Sequence, residues 1–499
     1  MKIFADTRPL FAIILFFGLA AMTARSATDP DLWWHLRSGQ WIVETGHVPH
    51  TDPFSFTRGG HAWVAHEWLS EVIFYGLWKV AGIPALIIFS SLITTAGFLL
   101  LYWRCPAPAH WAAAATVLGA WASAPCWGTR PQMFTFTLAS LFLWLLEQAD
   151  DRPWRLLWIP PLFLLWVNLH GGFAVGPVVM LLYAAGLACE AVAGTTPWHT
   201  ARGIMGRVLL AILACFALVP LNPSGARLYR YPLETVNAAT LRGLIVEWLS
   251  PDFHQSMYLP CLIVIMLLTV CLAWSRFAVK GRVLLPLFFM LLSALDAVRH
   301  IPIFVLIAIP VIAGALSDCS ESTQLNSSRP TNPRFRPRLN QAVVILMIAF
   351  TAWRWTSLVR DQPAREAALF PQRAVDFLRA NHQPTRLFAY YDWGGYALAK
   401  LYPQYRVFVD GRSDLYGDDI LSKSQTAVLL YNGWRGILDD WNVDTILIPI
   451  DFALTQALFM DSGWAVPYRD SQAVIFVRTQ PATLPPEVTS GTLVKTVIK

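Results

Sequence analysis

Apolar runs of ~20 residues recur along the chain, long enough to cross ~30 Å of hydrocarbon as helices. Hydropathy predicts about eleven spans, near 9–25, 82–103, 109–126, 131–148, 155–170, 172–193, 206–221, 257–275, 282–298, 300–316 and 339–357. The pattern divides the chain into a first helix (1–25), a long polar loop (26–81), a block of spans (82–316), a Ser-, Asn-, Pro- and Arg-rich linker (317–338), a last span (339–357), a polar domain (358–480) and a tail (481–499). Within 358–480 the period changes. Residues 364–380 carry helical spacing, whereas 386–390, 406–409, 445–450 and 473–477 are short apolar strands. Strands alternating with helices predict a small, partly parallel α/β sheet. The expected fold class is an all-α polytopic membrane bundle with a C-terminal extracytoplasmic α/β domain.

Charge orients this bundle. With the N-terminus inside, Arg104, Arg152, Arg155, Arg202, Arg207, Arg276, Lys280 and Arg282 fall in inner loops. The outer loops hold fewer cations: Arg130, Arg227, Arg230, Arg242 and Arg299. This bias follows the positive-inside rule and puts residues 26–81 and the C-terminal domain outside, as expected for a bacterial inner-membrane protein. Composition agrees: 55% of the 499 residues are hydrophobic and 14% are charged, against roughly 25% charged in soluble domains. The net charge of +6 is absorbed by topology and gives no sign of nucleic-acid binding. The seven cysteines lie in or beside apolar runs without C-x-x-C spacing, so a disulfide or zinc framework is not expected. Lys2 and Arg8 before the first apolar run resemble a signal peptide, but retention as an anchor better explains the acids that follow.

Those acids are Asp29 and Asp31, in Asp29-Pro30-Asp31-Leu32-Trp33-Trp34-His35. Residues 29–46 have the grammar of a helix: Asp29 as cap, Pro30 in the first turn, Asp31 on the positive end of the dipole, Gly46 as stop. Asp29 is explained by capping, whereas Asp31 is less needed there and is the candidate for chemistry. A second amphipathic helix is expected from about His61. On it His66 and Glu67 would diverge by ~100°, and Glu67 would share a face with Glu71. Ser70 stands where a zinc H-E-x-x-H motif needs histidine, which excludes that motif. Glu67 is a second candidate acid, with a solvated helix face as the alternative.

Other polar residues sit at outer span ends: Arg130, His170 in a tight turn, Glu247, and Arg299-His300. Singly each has a structural explanation, such as snorkelling or an ion pair. Together with Asp31 they outline a cavity of acids, arginines and histidines suited to a phosphate-bearing donor. His35 and His66 belong to the same collection. The stretch 408–414, a strand running into a polar turn with Asp410, Arg412 and Asp414, either lines the cavity mouth or holds its domain together.

A long first outer loop, an acidic pair just after the first span, many spans and an outer C-terminal domain resemble the GT-C superfamily of membrane glycosyltransferases. Tyr390-Tyr391-Asp392-Trp393-Gly394 is similar to the W-W-D-Y-G motif of oligosaccharyltransferase catalytic subunits, with its aromatics rearranged. The resemblance implies inverting transfer of a sugar from a polyprenyl-phosphate donor to a glycan, lipid or protein acceptor at the outer face of the bilayer. It implies Asp31, Asp29 and Glu67 as catalytic acids, with Asp29 and Asp31 as ligands should a divalent metal (Mg2+ or Mn2+) take part. Arg130, Arg299 and His300 would bind the donor phosphate. His35, His66, His170, Glu247, Tyr391, Asp392 and Trp393 would line the acceptor cavity. The alternatives are a non-enzymatic assembly or export component with a partner-binding outer domain, and a secondary transporter. The transporter is disfavoured by the scarcity of mid-membrane charges and the lack of a repeated half.

Overall fold

A computed structural model describes residues 7–237, 245–321 and 335–479. Most of the expected linker (322–334), the tail 481–499 and Arg242 lie outside the described residues. Among the described residues, six helical segments are long and apolar enough to cross a membrane: Trp68–Arg104, Gly171–Val192, Trp198–Leu221, Ser256–Trp274, Val298–Cys319 and Arg338–Leu369. Two apolar helices, Arg8–Thr23 and Gln132–Glu147, are shorter. The chain is thus a membrane protein, with fewer spans of full length than the eleven read from hydropathy. The difference comes from short or broken segments. Residues 109–126 form a 14-residue helix and a separate 3-10 turn, and 155–170 split into a 3-10 segment and an 11-residue helix.

Two compact units contain these elements. The first comprises residues 1–53, 60–370 and 412–418, and the second comprises 54–59, 371–411 and 419–499.

In the first unit, α1 (Thr7–Thr23) leads into α2 (Asp31–Thr45), and α3 (Trp68–Arg104) packs against both. α2 keeps nearly the expected bounds. Gly46 ends it in a left-handed conformation (φ 71°), which glycine adopts at little cost, and its N–H reaches the Ile42 carbonyl at 2.9 Å. Trp33 and Trp34 are buried in the protein, Trp33 edge-on to Phe370. The helix expected from His61 begins only at Trp68 and continues directly into the first long span, broken at Ala81 and Gly82.

Short polar side chains tie the helices together where lipid offers no hydrogen bonds. Ser91 donates to the Ala20 carbonyl at 2.6 Å, joining α3 to α1. Ser140 of the helix Gln132–Glu147 donates to the Gly97 carbonyl of α3 at 2.9 Å. The long helix Phe335–Leu369 lies along α1, with Thr351 donating to the Phe17 carbonyl at 2.8 Å. Beyond α1, the Gln362 amide accepts from Ala27 N–H (3.0 Å) and donates to Ala27 O (2.9 Å). That reciprocal pair fixes the chain two residues before Asp29. The helix Ile301–Glu321 is almost wholly buried at the centre.

The second unit holds a five-stranded sheet of order β2-β1-β3-β5-β4: β1 (Arg386–Ala389), β2 (Arg406–Val407), β3 (Thr445–Pro449), β4 (Trp464–Arg469) and β5 (Ala473–Arg478). β2, β1 and β3 are parallel, while β5 and β4 are antiparallel. β4 escapes the sequence pattern because it is a mostly exposed edge strand containing Pro467. Residues 54–59 join this unit through a Ser55–Val407 bridge and a 2.6 Å hydrogen bond from Thr57 to the Phe408 carbonyl.

Candidate active site

The first turn of α2 presents two carboxylates to one arginine. Asp29 Oδ1 accepts the Asp31 N–H at 2.9 Å, a capping-type bond that pins the start of the helix. Asp29 Oδ2 meanwhile lies 3.2 Å from Arg130 Nε, so this residue both caps and pairs. Asp31 Oδ2 accepts from Arg130 Nη2 at 2.7 Å and its Oδ1 from Trp34 Nε1 at 3.2 Å. Glu247, in the 3-10 turn Val246–Trp248, takes the third side of the guanidinium through Arg130 Nη1. One cation thus faces three acids, all about one-fifth to one-quarter exposed. Burial raises the Asp31 carboxyl to about 7; Arg130 opposes the rise and the charges of Asp29 and Glu247 add to it. Although burial disfavours its charge, Arg130 is held well above its ordinary value by the surrounding carboxylates.

One turn further along α2, His35 opens a second cluster around Glu67. The Glu67 carboxylate is contacted by His35 Nε2 at 3.6 Å, His66 Nε2 at 3.3 Å and His170 Nε2 at 3.4 Å. His66 and Glu67 therefore do meet, contrary to the divergence expected on a helix. Both precede the first turn of α3, where the backbone is free to turn them inward. The three rings differ in charge. Burial lowers the imidazoles of His35 and His170 to about 3; Glu67 opposes this, and neighbouring cations reinforce it. His66 is also buried, but Glu67 and then Asp414 outweigh that and raise it to about 9. Burial alone would raise Glu67, yet the histidines, His66 foremost, hold it well below the carboxylate range. The cluster is an ionised Glu67 and a charged His66 flanked by two neutral histidines.

Hydrogen bonding assigns one tautomer. His170 Nδ1 accepts from Gly172 N–H at 3.0 Å and faces Thr135 Oγ1 at 2.7 Å, and Thr135 in turn accepts from Trp166 Nε1 at 2.7 Å. The neutral ring therefore carries its proton on Nε2, toward Glu67. His66 Nε2 also lies 3.0 Å from the Tyr231 hydroxyl, and its Nδ1 lies 3.2 Å from the Val64 carbonyl and 4.0 Å from Asp414. Gly171 permits this crowding, since a Cβ there would stand 2.7 Å from Tyr231 and 3.1 Å from His66.

The remaining expected residues fall in two places. Arg299 lies over the Trp248 ring at 4.2 Å, beside Glu247, and among the described residues it has no ion-pair partner. His300 Nδ1 lies 3.1 Å from the Ser293 carbonyl. Tyr391, Asp392 and Trp393 form the first turn of the helix Tyr391–Leu401 in the second unit. There Trp393 is buried, and Asp392 accepts from the Tyr390 hydroxyl at 2.9 Å. Burial raises the Asp392 carboxyl and that hydrogen bond opposes it.

Sequence reasoning did not select Tyr231 or Thr135 as site residues; Glu71 entered only as sharing a face with Glu67, and Asp414 only within the stretch 408–414. Asp52 is fully buried and accepts from Arg412 Nη1 at 2.7 Å. A separation of 360 residues leaves no sequence signal for that pair.

Among the described residues the Arg130 guanidinium bridges the Asp29 and Asp31 carboxylates. Among the described residues no group of three or more His, Cys, Asp or Glu is arranged to hold a metal ion.

No protein-family profile matches the chain, and no curated protein matches it by sequence. Solved structures do. The oligosaccharyltransferase of Archaeoglobus fulgidus in its apo form aligns with a TM-score of 0.55 at 11% identity, over 89% of this chain and 70% of that one. The same enzyme tethered to an acceptor peptide containing an NVT sequon aligns with a TM-score of 0.54 at 12% identity, over 94% and 74%. ArnT from Cupriavidus metallidurans, bound to undecaprenyl phosphate, aligns with a TM-score of 0.46 at 13% identity, over 93% and 96%. The two alignments to the archaeal oligosaccharyltransferase cover most of this chain, which therefore shares the fold of that membrane protein.

Proposed function

We propose that the protein transfers a sugar from a polyprenyl-phosphate donor to a hydroxyl or other nucleophile of a glycan, lipid or protein acceptor at the outer face of the membrane. The observation that carries this reading is the unbalanced cluster of Asp29, Asp31 and Glu247 on Arg130, set on a GT-C fold. A structural ion pair needs one acid per guanidinium. Burial, to which the charges of Asp29 and Glu247 add, leaves one carboxyl titrating near neutrality despite Arg130, as a general base requires. Asp31 is that group.

In the reaction the acceptor oxygen attacks the anomeric carbon. The new C–O bond forms as the bond to the phosphate oxygen breaks, and the configuration inverts. Asp31 takes the acceptor proton. The departing polyprenyl phosphate carries the bonding electrons, and its charge is met by Arg299, which has no carboxylate of its own. Arg130 and Asp29 hold Asp31 in place. Glu67, ionised among its histidines, offers an acceptor oxygen to the sugar hydroxyls. No step is routed through a metal.

The test is complementation of a deletion strain with Asp31→Asn, reading lipid-linked and surface glycans by mass spectrometry. The reading requires loss of the glycan at normal protein level. Full restoration by Asp31→Asn removes the base and with it the enzyme, leaving the assembly-component alternative.

A further inference from the structure

Beside Asp29, on a different set of residues from Arg299 and Trp248, lies a cavity of about 280 Å³. Its charged lining is Arg25, Arg354, Arg365 and Asp29. Asp29 already pairs with Arg130. Three guanidiniums are thus gathered around an opening whose one carboxylate is engaged elsewhere. Arg354 and Arg365 stand eleven residues apart, three turns, and so share a face of the helix Phe335–Leu369. Among the described residues neither has a carboxylate partner. Arg25, just past α1, lies 5.1 Å over the Trp127 ring and donates to the Met22 carbonyl at 2.8 Å. Burial, and then the Arg354 charge, lower its guanidinium below the ordinary value. Gathering like charges costs energy unless an anion offsets it.

A second observation concerns neutral groups in the same wall. Thr129 is 1% exposed and Trp127 8% exposed, and both line the cavity. The Thr129 hydroxyl and the Trp127 indole N–H are buried without a hydrogen-bond partner. Buried polar groups are ordinarily satisfied, so two orphans in one wall point to a missing acceptor. Forked guanidiniums, a hydroxyl and an indole N–H together match an anion with three or more oxygens.

We propose that this cavity binds a phosphate group, as a phosphate or diphosphate ester. Anion binding at this cavity is independent of the transferase reading, and its test reads binding rather than transfer.

The purified full-length chain in detergent, carrying Arg299→Gln so that the guanidinium over Trp248 does not contribute, is titrated calorimetrically with inorganic phosphate and with pyrophosphate. Polyprenyl phosphate is followed by native mass spectrometry. Saturable one-to-one binding of at least one probe is expected. Adding Arg354→Gln and Arg365→Gln should weaken it at least tenfold with the ligand-free melting temperature unchanged, since both side chains reach the surface. Thr129→Val should weaken it less. Asp31→Asn should leave it intact, which separates this site from the proposed base. Binding of polyprenyl phosphate alone assigns a lipid headgroup, whereas pyrophosphate that binds and competes assigns a soluble ester; both sustain the proposal. If no probe saturates, or if the double arginine variant binds like its parent, the proposal is overturned.

Discussion

Arg130 and Arg282 are both arginines ringed by acids at the ends of the membrane helices, and they are built differently. Arg282, at the start of the helix Gly281–Asp296, grips Asp150 with Nη1 at 2.7 and 2.8 Å. It grips Glu190 with Nε at 3.0 Å and Nη2 at 2.6 Å, and its backbone N–H adds a further bond to Glu190 at 2.8 Å. Lys280 lies 3.9 Å from Asp150. Two cations therefore meet two acids, and the guanidinium is 6% exposed. At Arg130 one cation meets three acids that remain partly open. A balanced network holds helices together. In the unbalanced one, burial and then the charges of Asp29 and Glu247 raise the Asp31 carboxyl to about 7 against the pull of Arg130, as catalytic sites do.

The largest expected effect is on chemistry. Asp31→Asn keeps the shape of the clamp and removes the base, so transfer should fall by roughly 10²–10⁴-fold. Release of polyprenyl phosphate, followed by mass spectrometry, measures it, with melting temperature as the control. The matching substitution at the other end, Arg282→Met, strands two acids and should cost roughly 3–5 kcal/mol of stability. It should not change the rate per folded molecule. If Arg282→Met abolishes transfer while leaving the melting temperature alone, the two arginines do not differ as described.

The pH profile is a finer probe. A base acts when ionised, and Asp31 is raised to about 7 by burial. The rate should fall about tenfold per pH unit below that value and level off above it. Stability has the opposite sign. The folded value exceeds the ordinary 3.8, so the fold favours the protonated carboxyl. That contribution is fully present below pH 3.8 and is lost as pH rises through about 7. Between pH 5 and pH 8 the wild-type melting temperature should therefore drop more than that of Asp31→Asn. Equal slopes would place the titration on another group.

The same contrast explains what the sequence revealed. The helix from Asp31 to Gly46 was legible because cap, proline, acid and terminal glycine are local signals. The acidic pair was legible because charge at the end of an apolar run stands out. The partition of roles was not. Asp29, readable as a cap, also pairs with Arg130, a residue about a hundred positions away. Glu67 and His66 were misread because a helix was expected where the chain still turns. The pairing of Arg412 with Asp52 depends on residues 412–418 packing with the membrane unit, which no periodicity encodes. Span boundaries were hardest to read where apolar helices are short and interrupted, since hydropathy windows merge them with neighbouring 3-10 turns.

Gly171 provides the smallest test. It lies in the turn that carries His170, and its missing side chain leaves room for Tyr231 and His66. An alanine would press on the Tyr231 ring at 2.7 Å, and the ring would have to move. The 3.0 Å contact between its hydroxyl and His66 would open, leaving His66 to Glu67 alone on that nitrogen. Gly171→Ala should therefore slow transfer a few-fold while the stability stays within about 1 kcal/mol of wild type. Tyr231→Phe removes the same hydroxyl without a clash and should slow transfer by a similar factor. Agreement between the two variants assigns the effect to the placement of His66. A loss in Gly171→Ala with full activity in Tyr231→Phe would mean that the crowded turn itself, and not the hydroxyl, sets the geometry around Glu67. The Arg282 network offers a control, because Gly186 packs against its backbone with a Cβ position 2.3 Å from the Gly281 carbonyl. There no flexible ring can give way, so Gly186→Ala should lower stability without a change in rate per folded molecule.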